Sequence, residues 1–338
     1  MTDLQNAVLY GAAFLVPLAC VLLLTPLAGR IAERLGVVDR PGGHKTHVVA
    51  TPYLGGAAIA LGLVVVGFVV GSTTQQVVVI AGCGLAVFGM GLVDDVRGVR
   101  PVVRIAVEAS LGAVLWFAGV RAGLFGFAPL DFLLTVAWVL GITNALNLID
   151  NMDGLASGVT AIASLAYFAI AAPQGDYLVA AFAAGLAGVS VGFLRHNFPP
   201  ARIFLGDAGS LLLGFLLASL GLLIDVDVSG GLRLVIQALI LGVPVFDTAM
   251  VVASRRRAGR SVLQGGDDHS SHRLSRLGLS SRAVLGVICL AQVACATVGV
   301  AIANGSGAAP VLTVAWASVG LALVVLVRAR RLRSPSPD

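Results

Sequence analysis

Charge is what this 338-residue chain has least of: Asp, Glu, Lys and Arg together make up 12% of it, against 58% hydrophobic residues and a mean hydropathy of +0.97. A water-soluble globular domain carries about twice that charged fraction, so the balance excludes one. Basic residues are absent ahead of the first apolar run, where Asp3 is the only charge. A cleavable signal peptide needs a basic start, so the run is expected to stay as an anchor. The four cysteines, Cys20, Cys83, Cys289 and Cys295, all lie inside apolar runs without metal-ligand spacing. They read as small buried hydrophobes and say nothing about redox compartment.

What the chain does have is apolar runs long enough to cross a bilayer. They fall at roughly 7–27, 53–71, 76–93, 103–120, 131–147, 156–172, 177–194, 209–224, 233–253, 283–303 and 309–327. The pattern predicts an all-α, polytopic integral membrane protein of about eleven transmembrane helices. Residues 1–327 form a single transmembrane domain and 328–338 a basic tail. The formal charge of +5 does not indicate nucleic acid, because its distribution follows the membrane. Every Lys and Arg except Arg121 and Arg233 falls in alternate loops or the tail. By the positive-inside rule the amino terminus is outside and the carboxyl terminus cytoplasmic.

Polar residues with work to do stand out against this background. In Asn144–Gly158 a long apolar run ends in Asn144, Asn147, Asp150 and Asp153, spaced by three. On a continuing helix each neighbouring pair shares a face, so the oxygens converge at the mouth of a span. A helix end exposing polar residues, with Gly154 as its stop, is the plainer alternative. Asp94 and Asp95 end the third run; adjacent carboxylates repel unless a cation or hydrogen bonds offset them. Ion pairs with Arg97 and Arg100 would also account for them. Glu108, one turn into the fourth run, is expected to face the bundle interior.

Further along, Phe204-Leu205-Gly206-Asp207-Ala208-Gly209-Ser210 leads directly into an apolar helix. Glycines there let backbone amides approach a ligand, while Asp207 and Ser210 are each credible helix caps. Lys45 in the first loop is either a phosphate contact or an ordinary inside-facing anchor. Three consecutive arginines, Arg255–Arg257, read as orientation signal. His269 and His272 sit beside acids, but without thiolates they read as polar contacts to a substrate rather than zinc ligands. Carboxylates gathered on one side of a bundle suit Mg2+, which bridges substrate phosphates, and nearby basic residues such as Arg202 and Arg260 suit a polyanion. The residues alone therefore imply a metal-assisted site for a phosphorylated substrate at the inner membrane surface.

Taken in order, the loop from Asp39 to His47, the acidic pair, Asn144–Leu155, Phe204–Ser210 and the segment His269–Leu274 resemble the polyprenyl-phosphate N-acetylhexosamine-1-phosphate transferases. The resemblance implies transfer of a sugar 1-phosphate, N-acetylglucosamine 1-phosphate or a relative, from a UDP-sugar to a membrane polyprenyl phosphate with release of UMP. This would be the first membrane step of cell-wall or surface polysaccharide synthesis, catalysed on the cytoplasmic face of the inner (plasma) membrane. It implies Asp94, Asp95, Asp150 and Asp207 as catalytic acids, with Asp207 and Asp94 holding Mg2+, or Mn2+ in its place. It implies Lys45, Asn144, Asn147, Asp153, Arg202, Arg260, His269 and His272 as substrate contacts, and a second copy of the chain as a candidate partner.

The chain departs from the family pattern at Arg104 and Glu108, where a lysine and a glutamine are usual, and at Ser271, where the middle histidine of His-x-His-His is replaced. Its Asp150-Asn151-Met152-Asp153 form and eleven spans look more like the N-acetylglucosamine branch than the muramoyl-pentapeptide branch. A transporter or flippase and an inactive scaffold are the competing classes. Clustering of the acids at one surface, rather than at the midplane in repeated broken helices, argues against transport.

Overall fold

The computed structural model describes residues 2–39, 51–261 and 266–305. Lys45, the apolar run 309–327 and the basic tail lie outside the described residues. The other ten runs all become helix. In chain order these are α1 (Asp3–Leu35), α2 (Gly55–Val70), α3 (Gln75–Arg97), α4 (Pro101–Phe117), α5 (Ala128–Ile149), α6 (Leu155–Ala171), α7 (Tyr177–Asn197), α8 (Gly206–Leu223), α9 (Gly230–Ile240), α10 (Gly242–Arg257), α11 (Ser270–Arg276) and α12 (Ser281–Ala303). A two-residue antiparallel ladder, β1 (Val38–Asp39) with β2 (Thr51–Pro52), follows α1. Side-chain caps fix several starts: Thr2 and Gln5 form a capping box on α1, Asp176 caps α7 and Ser280 caps α12.

Six of these helices, α1, α3, α5, α7, α8 and α12, are long and apolar enough to cross a membrane. At 16 and 17 residues, α2 and α6 reach only about 24–26 Å, short of a ~30 Å hydrocarbon core. The run at 233–253, expected as one span, is instead α9 and α10 bent by 88°, a seventh span if the pair is counted as one. The break is built rather than frayed. Gln292, fully buried on α12, accepts from Val243 N at 3.0 Å and donates to the Ile240 carbonyl at 2.5 Å. It satisfies the backbone groups that the bend frees, as an apolar environment requires.

The most apolar stretches of α7 and α8 are 72% and 78% buried, against 17% and 22% for α1 and α3. The outer helices therefore present side chains such as Leu23 and Phe117 outward, as lipid-facing surfaces do, while α6, α7 and α8 form the packed centre. The start of α8 is gripped on two sides. A Cβ on Gly91 of α3 would come within 2.6 Å of the Ala208 Cα, and one on Gly56 of α2 within 2.4 Å of Gly209 N. The preceding turn is stitched by Phe204 N to the Pro52 carbonyl, Gly55 N to the Phe204 carbonyl and Gly56 N to the Leu205 carbonyl, at 2.8–3.0 Å. One end of the bundle thus holds a rigid helix start ringed by the ends of α3 and α5.

Candidate active site

At that helix start the two aspartates of the α3 pair separate. Asp95 accepts from Asp207 N at 2.7 Å through Oδ1 and from Ala208 N at 3.0 Å through Oδ2. It satisfies the orphan amides of α8 from another helix, where a carboxylate also meets the positive end of the dipole. Gly206 makes this approach feasible. Its φ is +75°, and a Cβ there would stand 2.6 Å from an Asp95 oxygen.

Asp94 points elsewhere. Its Oδ1 accepts from Val99 N at 2.7 Å, its Oδ2 lies 3.4 Å from Arg104 Nη1, and its carboxyl comes within hydrogen-bonding reach of Asp207. The other Asp207 contacts are Asn147 Nδ2, donating to Oδ1 at 2.7 Å, and Arg104 Nη1, 3.9 Å from Oδ2. Asn147 Nδ2 also lies 2.9 Å from Ser210 Oγ. Arg104 Nη2 donates to Asn144 Oδ1 at 3.2 Å, and the Asn144 amide donates to buried Glu108. Arg104 and Glu108, the two positions where the chain departs from the family pattern, belong to this network, and Glu108 faces the bundle interior as expected. Their signal in the sequence is an Arg and a Glu four apart in an otherwise apolar helix.

The three-residue spacing expected along one helical face holds only in part. Asn144 and Asn147 share a face of α5, but α5 ends at Ile149, with Asp150 as its C-cap. Partly buried there, Asp150 has a pKa well above the usual carboxylate range, first through desolvation and then through the charges of Asp207, Asp95 and Asp153. Asp153 lies in the following turn and accepts from Ala201 N at 2.9 Å, holding the 199–202 segment. Arg202 lines a separate cavity with Arg195 and Arg282.

The histidine segment is built around Asp247, which is 1% exposed. It accepts from Ser270 N at 2.7 Å and lies 2.7 Å from His269 Nδ1. His269 is thereby fixed and buried. His272, its ring 6.1 Å away, keeps about a third of its side-chain surface exposed. Burial lowers the His272 pKa below its ordinary value, with Arg276 and His269 adding to the effect and Asp267 opposing it. Arg260 donates to Asp268 at 2.9 and 3.1 Å, and this pairing is the main cause of the lowered Asp268 pKa. One bond ties the segment to the carboxylates: Ser271 Oγ donates to Asn151 Oδ1 at 2.5 Å, next to Asp150. The serine that stands in for a histidine is thus a latch between α11 and the α5–α6 turn.

Among the described residues no group of three or more His, Cys, Asp or Glu converges as metal ligands. Mg2+ needs fewer, since it keeps several waters and binds through one or two carboxylates plus substrate phosphates. Asp94 and Asp207, close enough to share a proton and with a guanidinium beside them, fit a hard cation.

Carboxylates, amides and a guanidinium are thus gathered at one end of an apolar helical bundle, a donor and acceptor set chemically suited to a phosphorylated substrate. Residues 77–225 match the model of glycosyl transferase family 4. The chain is 34% identical to the probable undecaprenyl-phosphate N-acetylglucosaminyl 1-phosphate transferase of Bacillus subtilis, over 82% of this chain and 80% of that protein. It is 35% identical to the decaprenyl-phosphate N-acetylglucosaminephosphotransferase of Mycobacterium tuberculosis, over 77% and 74%. A phospho-N-acetylmuramoyl-pentapeptide-transferase of Heliobacterium modesticaldum is 36% identical over 62% of this chain and 74% of its own length. The chain belongs to glycosyl transferase family 4.

Proposed function

We propose that the chain transfers N-acetylglucosamine 1-phosphate, or a related N-acetylhexosamine 1-phosphate, from a UDP-sugar to a membrane polyprenyl phosphate, releasing UMP. The observation that carries this reading is the network joining Asp94, Asp207, Arg104, Asn144 and Asn147, placed beside a latched histidine segment. Family membership and the names of its relatives supply the reaction class.

In the reaction a lipid phosphate oxygen attacks the sugar-linked phosphorus. That P–O bond forms as the bond to the UMP oxygen breaks, and the product is a lipid pyrophosphoryl sugar. Such transfers rest on positioning and electrostatics more than on covalent help. Asp94 and Asp207 would hold Mg2+, or Mn2+ in its place, and the ion supplies charge neutralisation on the leaving UMP. Arg104, within 4 Å of both carboxylates, is placed to meet phosphate oxygens. Asp95 accepts from two backbone amides and so orders the start of α8. His272 remains neutral near pH 7, so it donates from a neutral ring to the nucleotide sugar.

The site opens where basic loops gather, so the reading places it on the cytoplasmic face of the inner membrane, with α2, α4 and α6 as further, shortened spans. Purified protein with Mg2+, undecaprenyl phosphate and UDP-N-acetylglucosamine should release UMP. Release should stop on chelation and in Asp207→Ala. No release from folded protein with any UDP-N-acetylhexosamine would overturn the proposal.

A further inference from the structure

Beside the carboxylate network, and sharing with it only the 199–202 segment, lies a second polar cavity of ≈ 220 Å³. Its wall carries Arg195 and His196 from the end of α7, Arg202 from the following loop and Arg282 from the first turn of α12, with the Phe198 ring and residues 199–200 closing it. We propose that this cavity binds a phosphate-bearing anion at the membrane surface, separately from the transfer site.

The lining holds three guanidiniums and no acid. Among the described residues no carboxylate pairs with Arg195, Arg202 or Arg282. Two of the lining groups are nevertheless held in place. Arg282 donates through Nε to the Pro199 carbonyl at 2.9 Å and lies 5.9 Å over the Phe198 ring, which leaves its terminal N–H groups unspent. His196 Nε2 is fixed 3.1 Å from the Leu22 carbonyl.

Plain helix electrostatics explains half of this arrangement. Cations at the end of α7 complement its negative pole, so Arg195 and His196 need no ligand. Arg282 runs against the same rule, because it sits at the positive pole of the 23-residue α12. Arg202 then adds a third like charge to the same cavity. An anion between them would offset their repulsion and meet the forked guanidinium donors, the chemistry that selects phosphate. The volume suffices for a phosphate group with water, since one water occupies ~30 Å³ of liquid. That phosphate has two sources: an anionic phospholipid headgroup, reached from the surrounding bilayer, or a soluble phosphate compound.

The test uses the full chain in detergent. Native mass spectrometry compares retention of phosphatidylglycerol with that of phosphatidylcholine, and thermal shift follows inorganic phosphate and UMP against chloride at equal ionic strength. The variants are Arg195→Gln, the Arg195→Gln/Arg202→Gln pair, and Arg195→Lys, which keeps the charge and loses the fork. Losing two charge-assisted contacts should weaken binding about tenfold or more in the pair. Phosphatidylglycerol preferred by the wild type and lost in the variants assigns the site to a lipid headgroup. A phosphate-dependent shift lost in the variants, without lipid preference, assigns it to a soluble anion. Equal binding of every ligand by wild type and Arg195→Gln, a single exposed change that leaves the Pro199 contact intact, would overturn the site even if the pair fails to fold.

Discussion

Asp94 and Asp95 are adjacent and chemically identical, yet the structure gives them different work, and that difference is measurable. Removing Asp95 strips two α8 amides of their charged acceptor, so Asp95→Ala should lose about 2–3 kcal/mol of stability, read as a fall in Tm. Asp94→Asn can still accept from Val99 N and should keep its Tm while UMP release drops about 100-fold, as loss of a group at a transferring phosphate does. Equal Tm losses in the two variants would contradict the division. His272 gives a pH signature. Burial lowers its folded pKa, so the unfolded chain takes up the proton first as pH falls. Its share of stability is complete above the ordinary histidine value of ~6.5 and is lost as pH falls from there through the folded pKa. Tm should therefore decline as pH falls below about 6.5 in the wild type, and less steeply in His272→Gln.

Among the elements, the break between α9 and α10 marks where sequence reading ran out. Apolar periodicity located the helices well: runs at 76–93 and 177–194 became Gln75–Arg97 and Tyr177–Asn197. The 233–253 run carries Gly242 and Pro244, and Pro244 has no N–H to offer the Ile240 carbonyl, but nothing within the run shows that the bend reaches 88° or that Gln292, about 50 positions away inside another apolar helix, completes it. A lone glutamine in a span is a weak signal until its partners are known. The site shows the same limit. Asp207 and the two asparagines were legible as oxygens at a helix mouth, but spacing could not show that α5 stops before Asp150, or that Asp153 and Asp247 serve backbone amides. Gln292→Leu should leave Val243 N and the Ile240 carbonyl unpaired, at about 1–3 kcal/mol each. Its thermal midpoint should fall, and protease should cut near residue 241; an unchanged midpoint would mean the bend does not depend on this clamp.

For the molecule as a whole, the proposed reaction requires the side that carries the carboxylates to be the side that meets the nucleotide sugar. The ends of α1, α3, α5 and α7 and the starts of α8 and α12 meet there. Gly29 of α1 faces Ile203, Asp95 reaches Asp207 N, and Arg282 reaches Pro199. Basic residues crowd this end, while Arg121 and Arg233 sit at the other, where Asp131 fixes the 124–125 turn through both of its amides. If charge sets orientation, the carboxylate end is cytoplasmic and the Arg121 loop is outside. Cysteines placed at Gly123 and at exposed Arg276 would decide it, because the native thiols lie in the helices α1, α3 and α12, away from both positions. A membrane-impermeant maleimide applied to intact cells should label Gly123→Cys and spare Arg276→Cys until the membrane is opened. The reverse pattern would put the carboxylate end outside and would overturn the proposed cytoplasmic UDP-sugar donor along with the orientation.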